Sequence, residues 1–275
     1  MTSRNEERDR ARAARQERER GEAAARERAR RRRLLLGAGG LIVAIVAAVV
    51  AVGAFKKDPT DGASTARVDG VEVRGGAETA ALLRGLPQHG ETLGDPDAPV
   101  TILEIADLKC PGCQAHEVQT QKAVVDRLVR TGKANLELQL VNYRDAAAGT
   151  SDGAAARRAA YNFAGKDRFW NFVHAAYYNQ GQETTAWASE RTLRRIAAAA
   201  PGIDPAGVDV RETPRSRAAI ARADALAAAL RNDQTPALYV QPRGRREYTR
   251  LDDGATSDVD ALEAAVAKAT ARARG

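Results

Sequence analysis

The sequence is nearly devoid of cysteine. Its 275 residues hold two, Cys110 and Cys113, with Pro111 and Gly112 between them. That scarcity excludes a framework of structural disulfides, and a pair this close closes too short a loop to restrict the unfolded chain much. A redox role explains the pair better than a staple does. Histidine is as rare, with only His89, His116 and His174. A structural zinc site needs about four ligands, and only His116 stands at a usable spacing after the pair. Haem attachment needs a histidine directly after the second cysteine, where this chain has Gln114. No cofactor is expected, and a soft metal held by Cys110, Cys113 and His116 remains open as the rival chemistry.

Most of the chain also lacks net charge. The formal +7 is concentrated in residues 1–33, whose 13 arginines and 7 acids give +6 and leave +1 for the other 242 residues. A globular part so close to neutral offers no phosphate footprint, which argues against a nucleic-acid partner. The tail alternates charges on an Arg, Glu and Ala background with no apolar stripe, as in a solvated helix or a disordered segment that touches anionic lipid.

Residues 34–55 carry no charge at all. As a helix these 22 residues would span about 33 Å, against about 30 Å of hydrocarbon. The stretch is read as a single transmembrane helix. A cleaved signal peptide is the alternative, but the apolar run exceeds the usual limit of about 15 residues and the charged segment before it is long. The run Arg30 to Arg33 keeps its flank in the cytoplasm and places everything after Phe55 outside, a bias that Lys56 and Lys57 weaken slightly.

Residues 56–86 are rich in Asp, Gly, Thr and Ala and read as a linker, with a short helix from Ala77 to Arg84. Residues 87–275 read as one α/β domain. A turn at Gly94, Asp95, Pro96 and Pro99 leads into Val100 to Ile105, an apolar run of strand length. From Cys110 to about Arg130 the spacing predicts a helix with Val118, Val124, Val125, Leu128 and Val129 as its stripe and Gly132 as its stop. Leu136, Leu138 and Leu140 alternate with polar residues in a second strand, so the three elements make a right-handed parallel unit.

A helical insertion covers about 150–232, broken at Gly165, Pro201, Pro205 and Pro214. Eight of the twelve aromatics lie between Tyr161 and Trp187, which marks the core of that insertion first and a groove wall second. Ala237–Val240 and Arg245–Leu251 read as a hairpin. Ser257 and Asp260 resemble a capping box ahead of a closing helix through Val259, Leu262 and Val266. No internal repeat is visible.

The order strand, C-x-x-C helix, strand, helical insertion, hairpin, helix resembles the thioredoxin fold in its DsbA-like form. The stretch LGDPDAPVTILEIADLKCPGC, from Leu93 to Cys113, is similar to the opening of the extracytoplasmic DsbA-type thioredoxins of bacteria. The resemblance runs from about Pro87 to the C-terminus. It is most specific at the C-P-G-C tetrad and at Thr235-Pro236, where this superfamily carries a cis-proline. An ordinary trans bond at a strand start is the alternative there.

The resemblance implies thiol-disulfide exchange, most readily by an oxidase acting on unfolded or reduced exported proteins and reoxidised by a membrane partner. A reductase or isomerase kept reduced by a membrane donor is the alternative. It further implies that the Thr235 backbone faces the cysteines and pairs with an extended substrate. Glu104, six residues before Cys110, stands where DsbA-like proteins place a buried acid, although a half-exposed strand position would suit it equally. Gly112, Ala106 and Leu108 replace the aromatics usual in such proteins, which bears on redox potential and substrate surface more than on fold.

The chemistry asks for a thiolate, since a thiol does not attack disulfides. At a helix N-terminus Cys110 meets unpaired backbone amides and the positive end of the dipole, and Pro111 suits the first turn because its missing donor is not needed there. Cys113, one turn further in, is expected to resolve mixed disulfides, with Glu104 taking its proton. Lys109 offers positive charge if it reaches the sulfur, but an exposed lysine is ordinarily solvated. His116 is read as partly buried without a catalytic duty, and His89 and His174 have no role.

Overall fold

The computed structural model describes residues 58–274. The charged tail and the apolar segment 34–55 lie outside the described residues. Among those described, no helix is long and apolar enough to cross a membrane.

The sheet is organised around β5 (Val100–Ala106), with six strands in the order β3-β4-β6-β5-β7-β8. β5 pairs in parallel with β6 (Asn135–Leu140) and antiparallel with β7 (Ala237–Pro242). β3 (Gln88–His89) and β4 (Thr92–Leu93) extend the β6 side, and β8 (Thr249–Arg250) closes the other. A strand covered on both faces must be apolar throughout, which is why β5 reads as a continuous run rather than an alternating one. Successive side chains still point to opposite faces. Ile102 and Ala106 enter the large core shared with the helices, whereas Leu103 and Ile105 pack with Val141, Ala237 and Tyr239 in a smaller one. Glu104, two residues from Ile102 and Ala106, therefore points into the large core, the side of the cysteine helix.

That helix, α2, follows β5 after one turn and runs as four consecutive segments, Pro111–Ala115, His116–Thr120, Gln121–Val124 and Val125–Val129. The second and fourth are wide π-type turns, so the single regular helix expected there is widened twice while keeping Val124, Val125 and Leu128 in the core. The insertion comprises α3 (Arg144–Ala148), α4 (Asp152–Ala164), α5 (Phe169–Tyr178), α6 (Glu190–Ala199) and α7 (Pro214–Ala229). Every residue of α5 is buried, and ring pairs tie it to α4, Tyr161 on Phe169 at 5.6 Å and Phe163 on Phe172 at 5.1 Å. The aromatic cluster is thus core. α8 (Val259–Arg274) closes the chain.

Three sequence expectations need correction. Residues 56–86 are not simply a linker. From Pro59 onward the chain belongs to the same compact unit as the rest. Within it, a hairpin of β1 (Thr65–Val68) and β2 (Val71–Arg74) leads into α1 (Gly76–Leu83). The Asn179 amide exchanges hydrogen bonds with the Arg74 backbone at 2.9 Å each way, and Thr79 Oγ1 lies 2.9 Å from His174 Nδ1, which docks both on α5. The turn is Asp69-Gly70, both with positive φ, 50° and 77°, the pattern a tight hairpin requires.

The second strand of the C-terminal hairpin shrinks from the expected Arg245–Leu251 to Thr249–Arg250. The cap of α8 is Asp258, not Ser257. Its Oδ1 accepts from the amides of Asp260 and Ala261 at 2.9 and 3.1 Å, while the Ser257 hydroxyl donates to Gly254 O.

Candidate active site

Cys110 caps α2 with extended backbone, and Pro111 occupies the first helical position. The turn into it is fixed by Asp107 at the end of β5. Asp107 Oδ1 accepts from Lys109 N at 2.8 Å, its backbone carbonyl accepts from Cys110 N at 3.0 Å, and its backbone N–H donates to Cys113 Sγ at 3.5 Å. Its other carboxylate oxygen accepts from the amides of Tyr143 and Arg144 at 2.7 and 2.9 Å, so one buried acid joins the cysteine turn to the start of α3. Gln180 completes the frame from the end of α5, donating to the carbonyls of Leu108 and Cys110 at 2.8 and 3.1 Å.

The Thr235-Pro236 bond is cis, and it brings Thr235 O to 3.2 Å from Cys110 Sγ, where the thiol donates to it. Residues separated by 125 positions in the chain thereby meet at one sulfur. A Cβ on Gly112 would stand 3.1 Å from Pro236 Cδ and 3.7 Å from Cys110 Sγ. The absence of a side chain at Gly112 lets the proline loop close on the cysteines.

The two thiols are driven in opposite directions. Cys110 is lowered to about 5, first by the Cys113 thiol donating to it, with burial opposing. The Thr235 side chain, the Cys113 backbone amide and the Arg144 charge add to the lowering. Once the sulfur ionises it can only accept, and the Thr235 hydroxyl, buried with no other partner among the described residues, can donate. The helix amides expected to dominate thus rank behind the neighbouring thiol. Cys113 is raised well above its ordinary value, first by burial and then by the anion on Cys110. Cys110 and Cys113 are both buried, at 1% and 0% exposure.

Behind Cys113 sits a group of polar side chains inside the large core. Glu104 is fully buried, which decides between the two positions open to it, and burial lifts its carboxyl to about 8. Glu117 is buried beside it and raised by the same cause. The Gln121 amide donates to both, at 3.4 Å to Glu104 and 3.2 Å to Glu117. His116 is wholly buried rather than partly so. Its Nδ1 faces the carbonyl of Thr256, which can only accept, so the ring proton sits on Nδ1 and Nε2 faces Glu104 Oε2 at 3.5 Å as an acceptor. Burial lowers the His116 pKa, and a neutral ring beside a protonated Glu104 is consistent with that placement.

Sequence reasoning missed Glu117 and Gln121. Their signal was present, since Cys113, Glu117 and Gln121 follow one another at i, i+4 and i+8 on a single helix face.

One further expectation is corrected. Lys109 is not an exposed lysine near the thiolate. It is fully buried, and its Nζ donates to Asp145 at 3.1 Å, Asp152 at 2.7 Å and Thr150 at 2.6 Å. His116, the third ligand of the rival metal reading, has its Nδ1 against Thr256 O and its Nε2 3.5 Å from Glu104 Oε2.

A family model described as thioredoxin matches residues 88–255. The chain belongs to that family. Among curated relatives, the probable disulfide bond formation protein D of Bacillus cereus is 34% identical over 106 residues, 38% of this chain and 48% of that protein. The disulfide bond formation protein D of Bacillus subtilis is 24% identical over 166 residues, 58% of this chain and 72% of that protein. The chain thus spans about half the length of the first of these relatives. Of the solved structures in the family's fold, oxidised BdbD of Bacillus subtilis superposes with a TM-score of 0.56 at 19% identity, covering 68% of this chain and 96% of that one. Chlamydia trachomatis DsbA gives 0.51 at 19% identity, covering 65% and 90%. These likenesses carry the thioredoxin fold with its helical insertion to this chain.

Proposed function

We propose that this protein is a thiol-disulfide oxidoreductase that introduces disulfides into exported proteins. The observation that carries the reading is the split acidity of the pair, Cys110 drawn down to about 5 and Cys113 pushed up. A dithiol whose thiolate is stabilised is a stable reduced form, and the corresponding disulfide is a strong oxidant. The names of the Bacillus relatives, disulfide bond formation proteins, agree with that direction.

The cycle begins with the Cys110–Cys113 disulfide. A client thiolate attacks Cys110, a Cys110–client bond forms, and the electron pair leaves on Cys113. Cys113 ends as a thiol, and Glu104, with a carboxyl near 8 in the same core, is the group that exchanges its proton with it. A second client thiolate then attacks the client sulfur, releasing the client disulfide and a Cys110 thiolate. Thr235 presents backbone beside the sulfur, where an extended client pairs as an added strand held over Pro236. A membrane electron-transfer partner reoxidises the pair. Residues 34–55 anchor the chain in the cytoplasmic membrane, N-terminus inside, with the catalytic unit outside.

The reduction potential measured against glutathione tests the direction. We expect a value on the oxidising side of about −200 mV, and one near about −270 mV, the range of thioredoxin itself, would overturn the oxidase in favour of a reductase. In cells, the Cys113→Ala variant should accumulate exported proteins in mixed disulfides with Cys110. A blank trap would remove the proposed clients.

A further inference from the structure

The burial of Lys109 leaves open which cation serves the thiolate, and Arg144 fills that place. It opens α3, its backbone amide fixed on Asp107. Its Nη2 donates toward Cys110 Sγ at 3.7 Å, and Nη1 lies 3.5 Å from Glu183 Oε2 in the connection between α5 and α6. The Arg144 and Glu183 side chains are 36% and 39% exposed, whereas Cys110 beneath them is 1% exposed. One guanidinium is thus shared between a carboxylate and the sulfur that exchanges, on the side of that sulfur nearest solvent.

We propose that Arg144 is a catalytic residue of the exchange reaction, the counter-ion that receives Cys110 as a leaving thiolate, and that Glu183 sets how much of its charge the sulfur feels. In the client-release step the bond between Cys110 and the client sulfur breaks while the client disulfide forms. The electron pair goes to Cys110 Sγ, the client is oxidised by two electrons and the enzyme is reduced by the same two. Negative charge reaches Cys110 only in that step. A guanidinium already in place and always charged, on a residue whose backbone amide is held by Asp107, favours the transition state over the neutral mixed disulfide. A better-stabilised leaving thiolate also departs faster.

Glu183 supplies the balance. With Cys110 in a disulfide, Arg144 faces the carboxylates of Glu183 and Asp107, and with Cys110 ionised it serves the thiolate as well. The groups facing Cys110 are the Cys113 thiol from α2, the Thr235 loop before β7 and Arg144 from α3, with Glu104 of β5 behind. Those facing Arg144 are Cys110, Glu183 and Asp107.

The inference rests on Cys110 being the exchanging sulfur, and its test is a titration that needs no client. Thiolate absorbance of the full reduced protein is followed against pH for Arg144→Met, Arg144→Lys and Glu183→Gln, alongside the glutathione equilibrium of each. Arg144→Met should raise the Cys110 midpoint by about one pH unit. That corresponds to an equilibrium about tenfold less oxidising, or about 30 mV. Arg144→Lys should recover most of the shift, because the charge is retained, and Glu183→Gln should move the midpoint the other way. An unchanged midpoint and potential in Arg144→Met overturns the proposal, and so does Glu183→Gln moving in the same direction as Arg144→Met. Trapping through Cys113→Ala is read separately. It can succeed while Arg144 proves inert, or fail while the titration behaves as described, so the two ideas fall independently.

Discussion

Two buried polar clusters flank the start of the cysteine helix, and they are built on opposite rules. In the first, Lys109 is matched by Asp145 and Asp152, and both acids have further donors. Asp145 accepts from Asn142, Thr150 and the amides of Gly153 and Ala154, and Asp152 accepts from the amide of Ala188. Burial alone would raise the Asp145 carboxyl, but those hydrogen bonds hold it at about 2, and the two acids keep Lys109 charged. In the second, Glu104 and Glu117 share one Gln121 amide and a neutral histidine, and an oxygen on each of Glu104, Glu117 and Gln121 has no partner among the described residues. The first cluster has one stable charge state and acts as a rivet. The second holds carboxyls that burial pushes toward their protonated form, with Glu104 at about 8, the property that the proposed proton exchange with Cys113 requires.

Removing one partner from each cluster should break them in contrasting ways. Lys109→Met leaves the buried Asp145 carboxylate and the half-buried Asp152 carboxylate without a cation, which should cost about 3 to 5 kcal/mol in urea unfolding. The Cys110 titration should stay near 5, because Lys109 is not among the groups that set it. A loss below about 1 kcal/mol would mean the first cluster is no rivet.

Glu104→Gln should do the reverse and stabilise. The folded carboxyl titrates at about 8 against an ordinary 4.5, so the folded state binds the proton more tightly. Wild-type stability is therefore full below about pH 4.5 and declines as pH rises through 8. The glutamine variant should match wild type at pH 4 and gain progressively from about pH 5, reaching about 5 kcal/mol above pH 8. Unfolding midpoints of both proteins in the same redox state across that range check the sign. A gain independent of pH would show that Glu104 is not held as an acid.

The contrast also explains what could be read from sequence. Cys110, Pro111, Gly112 and Cys113 are contiguous, and Thr235-Pro236 is a dipeptide before an apolar strand, so local order exposed both halves of the sulfur site. β5 and α2 were legible because full burial and one-sided burial leave different periodicities. What sequence concealed depends on partners far along the chain. Lys109 looked solvated because Asp145 and Asp152 lie 36 and 43 residues away, and nothing in its neighbours announces them. Arg144 sits 34 residues from the sulfur it approaches. The β1–β2 hairpin was hidden for another reason. Its strands bury little besides Val73, so apolar alternation was faint, although Asp69-Gly70 carried the turn signal.

The smallest expected effect probes the approach side of the sulfur, where neither cluster reaches. In Gly112→Ala the new methyl would press on the Pro236 ring at 3.1 Å, a contact the loop must yield to by a few tenths of an ångström. Alanine in a first helical turn gains up to about 1 kcal/mol over glycine, and the crowding costs a similar amount, so the melting temperature should barely move. The exchange rate should respond, because the atoms displaced carry Thr235 O, now 3.2 Å from Cys110 Sγ, and with it the edge on which the proposed client would pair. A severalfold slower reaction with a reduced model peptide, at unchanged thermal stability, would place the specificity of this site in the gap that Gly112 leaves open. An unchanged rate would move that specificity to the Arg144 side of the sulfur.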